Sequence, residues 1–105
     1  MNNMYIVATP GFLNEIPQEK QAIIFTLTTN QITPKCDFFV FDPNTTKTKI
    51  EYQDDGRTMY FPMKTIPKKV YAKLDDYGSK EALSDSVGHR VQTRYTLTFM
   101  LAEDY

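Results

Sequence analysis

The last stretch of the chain alternates. Val91, Thr93, Tyr95, Leu97, Phe99 and Leu101 fall on one side, and Gln92, Arg94, Thr96 and Thr98 on the other. A period of two built from β-branched and aromatic residues predicts a strand with one buried face. The pattern recurs upstream. Met4–Ala8 is a short strand closed by Pro10-Gly11. Lys47–Tyr52 places Thr48, Ile50 and Tyr52 inward, and Lys68–Leu74 does the same with Val70, Ala72 and Leu74. Cys36–Phe41 is apolar on both faces apart from Asp37, which predicts a central strand with one face under a helix. Asp54-Asp55-Gly56-Arg57 is hairpin chemistry, because glycine accepts a positive φ without strain. Thr58–Met63 follows it. Pro62 cannot donate to a ladder, so this strand sits at an edge or stops there.

One long segment breaks the period. Asn14–Leu27 has Pro17 at a first helical position and Glu15 and Glu19 near the positive end of the dipole. Ile16, Lys20, Ile23, Ile24 and Leu27 would share one side of that helix. A buried strand over 23–29 is the competing reading, since the run is rich in β-formers; the start signal and the length favour helix. Residues 75–90 read as a polar loop with one helical turn near Ser79–Leu83. The whole order predicts one α+β domain over 1–105, a mainly antiparallel sheet of five to six strands with one principal helix packed on one face.

Composition narrows the function classes. A chain of 105 residues can bury a modest core without disulfides or metals. Twelve basic and thirteen acidic side chains give a net charge of −1, so no global basic field recruits nucleic acid. Cys36 is the only cysteine, which excludes an internal disulfide. No apolar run approaches the roughly 20 residues of a membrane span, and the start lacks the basic residues of a secretory signal. These features predict a soluble cytoplasmic protein with no membrane partner.

Candidate chemistry is sparse. His89, the only histidine, lies in a polar loop beside Gly88 and Arg90 and reads as a surface residue. Cys36 opens an apolar strand and reads as a small core residue. The glycines are too scattered for a phosphate loop. We therefore expect no catalytic residue, cofactor or metal ligand. Two surfaces remain. Asp75, Asp76, Glu81 and Asp85, opposed only by Lys80, would form an acidic lip suited to a basic partner. Lys69, Tyr71 and Lys73, with Tyr60 nearby, would share an exposed strand face of the kind that stacks single-stranded nucleic acid. A hydrolase or metal enzyme would instead need His89 and two carboxylates to converge.

Glu15-Ile16-Pro17, Lys69-Val70-Tyr71 leading into Asp75-Asp76, and the terminal Met100-Leu101-Ala102-Glu103-Asp104-Tyr105 resemble the family catalogued as domain of unknown function 960, small proteins of Firmicutes. The chain departs from it by a longer segment after Asp76 and by Thr28-Thr29 in the helix. The resemblance implies a cytoplasmic bacterial, plasmid or phage origin and supplies no activity. Small acidic accessory proteins of mobile elements include inhibitors of host defence nucleases, among them anti-CRISPR proteins. By that analogy of size and charge, the expected function is a non-enzymatic protein-binding module. Its partner would be a nucleic-acid-handling defence enzyme engaged by the acidic lip. The alternative is a small single-stranded nucleic-acid-binding module using the Lys/Tyr face.

Overall fold

The computed structural model describes Met1 and residues 3–105. The elements in chain order are β1 (Tyr5–Ala8), α1 (Pro10–Glu15), α2 (Gln18–Gln31), β2 (Phe38–Asp42), β3 (Glu51–Tyr52), β4 (Thr58–Pro62), β5 (Val70–Asp76), α3 (Lys80–Val87) and β6 (Tyr95–Leu101), then a 3₁₀ turn over Ala102–Asp104. The strands form one sheet in the order β1-β6-β5-β2-β4-β3.

The sheet is mixed, which corrects the mainly antiparallel expectation. β1 runs parallel to β6, and β2 parallel to β4. The β2–β5, β3–β4 and β5–β6 pairs are antiparallel. Alternation fixes which face a residue takes and carries no information about a neighbour's direction. Here β4 skips over β3 to reach β2, and β6 inserts between β1 and β5.

The described residues form three α-helices, where one principal helix and a single helical turn were expected. Thr9 caps α1, its Oγ1 accepting from the Phe12 N–H at 3.3 Å, and Pro10 follows in the first turn. α2 starts after Pro17 as the sequence predicts. Its buried residues are Ile24 and Thr28, whereas Ile23 is 43% exposed, so the inward stripe is rotated from the expected one. The Thr28 hydroxyl, fully buried, donates to the Ile24 carbonyl at 2.8 Å and so needs no other partner. α3 extends to two turns the single helical turn expected near Ser79–Leu83: the Ser79 Oγ accepts from the Ala82 N–H, and Gly88 ends the helix at φ 81°.

The other departure lies between Asp42 and Glu51. Only Glu51 and Tyr52 pair as a strand, and Thr48, Ile50 and Tyr52 are all exposed instead of inward. β3 is the outermost strand, so nothing beyond it can cover a second apolar row. The hairpin at Gly56 forms as expected, with φ 72°. β4 ends at Pro62.

The core lies between one face of the sheet and the first two helices. Phe39, Phe41, Phe61, Val70, Ala72, Leu74, Leu97, Phe99 and Leu101 pack with Phe12, Ile16, Ile24 and Ile32. Val70, Ala72 and Leu74 point inward as the alternation predicts. No helix among the described residues is long and apolar enough to cross a membrane.

Candidate functional site

The second face of the sheet is only partly covered. α3 takes the end near β1 and β6. Tyr5, paired across the sheet with Thr96 and so facing away from Leu97, has its hydroxyl 3.2 Å from His89 Nε2, just past α3. The Ser84 Oγ accepts from the Val91 N–H at 2.9 Å and ties the helix to the following segment. Beyond α3 the face is covered only in part: Val40 and Met100 are buried, while Phe38, Tyr71 and Lys73 keep partial exposure.

There Phe38 pairs with Lys73, and Tyr71 lies opposite both Val40 and Met100. The rings of Phe38 and Tyr71 are 5.0 Å apart, and Tyr105 meets them edge-on at 5.9 and 5.6 Å. Lys69 lies 5.9 Å from the Tyr71 ring, and Lys73 5.5 Å from the Tyr105 ring. One strand further on, Tyr60 pairs with Val40 and donates its hydroxyl to Asp42. A groove of about 400 Å³ runs beside this cluster, bordered by Val40, Asp54, Asp55, Tyr60 and Lys69.

The face is balanced in charge. Lys47 pairs with Glu51 at 2.8 Å, and Lys73 lies 3.4 Å from Asp75. The Tyr60 hydroxyl, bonded to Asp42, holds that carboxyl below its ordinary range against the opposing pull of partial burial, with help from the Asn44 N–H and Lys69. Tyr60, Lys69, Tyr71 and Lys73 therefore do share one surface, as alternation predicts. Phe38 and Tyr105 join them without having been singled out. Phe38 alternates with Phe39 and Phe41, and that was the available signal; it reads as buried unless the open face is known.

The acidic lip is divided. Asp75 and Asp76 belong to β5, not to a loop. Arg94 clamps Asp76 with two bonds, Nε to Oδ1 at 2.8 Å and Nη2 to Oδ2 at 2.6 Å. Glu81 and Asp85 sit one turn apart on α3, where they border a polar cavity of about 620 Å³ together with Lys80, His89 and Arg90. His89 thus shares a cavity with two carboxylates. Its Nε2 meets Tyr5, and its Nδ1 lies 3.4 Å from the Arg90 carbonyl, so both ring nitrogens are engaged. No group of three or more His, Cys, Asp or Glu among the described residues could hold a metal. Cys36 is 4% exposed, and burial pushes its thiol up, which keeps it protonated at neutral pH.

The carboxylates make stability acid-sensitive. The Arg57 and Thr58 groups around Asp55 and the Arg94 guanidinium on Asp76 lower both carboxyls, as Tyr60 lowers Asp42. A carboxyl depressed on folding contributes stability that is complete above the unfolded pKa, about 4, and is lost as pH falls through the folded value. Urea midpoints should therefore hold from pH 7 to about 5 and drop below about 4. Asp76→Asn should flatten part of that drop. An unchanged acid limb in this variant would assign the loss to other carboxyls.

Against known proteins, the chain matches no family model, no curated protein and no solved structure.

Proposed function

We propose that this protein is a non-enzymatic protein-binding module that docks its partner on the open face of the sheet. The observation that carries the reading is the aromatic cluster Phe38–Tyr71–Tyr105, in which Tyr105 is exposed and the other two rings half-buried, beside a groove. Tyrosine and phenylalanine are enriched where interfaces bury most area, and such anchors dominate binding energy. The choice between protein and nucleic acid turns on charge. A phosphate backbone laid along Lys47, Lys69 and Lys73 would also meet Glu51, Asp42, Asp54, Asp55 and Asp75. A protein surface of mixed charge matches that arrangement better.

The finer reading is an anti-CRISPR-like inhibitor of a host defence nuclease; the family resemblance implies only its bacterial, plasmid or phage source. Its support is the analogy of size and charge and the pair Glu81 and Asp85 on α3. Asp75 and Asp76 contribute less to such a lip because Lys73 and Arg94 already pair with them.

The test is capture of the partner with tagged protein, followed by titration of surface variants. Tyr71→Ala with Tyr105→Ala should weaken binding by roughly thirtyfold, the size of an interface anchor. Loss confined to Glu81→Lys with Asp85→Lys would move the site to α3. The nucleic-acid alternative requires binding to single strands that falls steeply with salt; we expect no shift in a gel at any salt concentration.

A further inference from the structure

β1 is one edge of the sheet, and its outer side is unpaired among the described residues. The Thr9 N–H donates to the Phe99 carbonyl at 3.0 Å. Alternate residues of a strand aim their backbone groups the same way. Tyr5 and Val7 therefore bond inward to β6, and Ile6 and Ala8 present N–H and C=O outward. Proteins blunt such edges with charge, proline or very short strands. The opposite edge, β3, has two residues and sits among Lys47, Lys49 and Glu51. Tyr5-Ile6-Val7-Ala8 is twice as long as β3 and carries neither charge nor proline.

An apolar groove of about 390 Å³ runs alongside this edge. Phe99 lies at its base, with Ile6, Ala8, Leu13, Ala22 and Phe25 around it, and no charged side chain lines it. Ile6, Leu13 and Phe25 are 43%, 53% and 41% exposed. A second folded copy would need to bury about 800 Å² per partner to stay bound. Half-exposed side chains of this number and size offer on the order of 300 Å². That shortfall excludes a copy held by the groove alone. An extended peptide adds the missing energy through main-chain hydrogen bonds to Ile6 and Ala8.

The geometry points to β1 as a docking edge for an extended, uncharged peptide segment of a partner protein, added as a further strand with alternate apolar side chains in the groove. This surface is separate from the Phe38–Tyr71–Tyr105 face and stands or falls without it.

The probe is a dye-labelled heptapeptide alternating threonine with valine or leucine, read by fluorescence anisotropy. It should bind saturably, and Leu13→Glu with Phe25→Glu, both at exposed positions, should weaken it by roughly tenfold or more. N-methylation of one alternate set of its amides should abolish binding, and methylation of the other set should not, because only one set faces β1. These paired probes require no change in the protein, so they decide the question even where a variant fails to fold. No saturable binding, or equal loss with both methylated sets, would overturn strand addition. Concentration-dependent dimerisation removed by the same two substitutions would assign the edge to a second copy instead.

Discussion

Replacing Phe41 by alanine should lower stability by about 3–5 kcal/mol, a large part of the 5–15 kcal/mol that a domain possesses. Phe41 has no exposed surface, and its ring stacks on Phe61 at 4.8 Å with the planes 16° apart. Its strand is held on both sides, by β4 and by β5, so the backbone cannot move in to fill the void. Phe38, three residues earlier in the same strand, is the control. It is half-buried on the other face, so its truncation removes less buried surface and leaves a space that water can enter. Urea denaturation of the two variants should show a large midpoint shift for Phe41→Ala and a clearly smaller one for Phe38→Ala, with equal slopes. Equal shifts would mean that the open face is as tightly packed as the core.

Leu83→Ala should release α3. Leu83 is the helix's only buried residue and has no exposed surface. It lies outside the main core cluster, so α3 buries it away from the packing of the first two helices. An eight-residue helix does not persist by its own propensity, so its order depends on that contact. Truncation of a buried leucine costs about 2–5 kcal/mol, which is more than so short a helix can spare. Hydrogen exchange should accelerate at the amides of 83–88 while β5 and β6 stay protected. The contact between His89 and Tyr5 should be lost with it. If β5 and β6 lost protection too, α3 would have to be counted as part of the core.

The sequence pattern made the inward rows of β5 and β6, the Gly56 hairpin and the start of α2 legible, because each depends on local spacing or on one residue's backbone freedom. α1 was missed and α3 was read as a single turn for want of length, although Thr9-Pro10 and the Ser79…Gly88 pair are the cap signals of short helices. Strand direction has no local signature, which left the parallel pairs unread. The candidate site divides in the same way. Alternation placed Lys69, Tyr71 and Lys73 together, but Phe38 joins them through the β2–β5 register and Tyr105 through the turn after β6, neither of which has a local signature. The acidic lip is divided because β5 continues through Asp76, which takes two of its four carboxylates into the strand.

The pairing of β1 with β6 bears on how the protein is made. The Thr93 hydroxyl reaches the Asn3 carbonyl across 90 residues of chain, and among the described residues β1 has no other strand beside it. At a ribosome adding about 5–20 residues per second, β1 waits on the order of 5–20 seconds before its partner is synthesised. Throughout that interval an uncharged tetrapeptide with both edges bare is available to chaperones or to neighbouring nascent chains. Yield in the cell would then depend on translation speed over the second half of the message as well as on the depth of the native minimum.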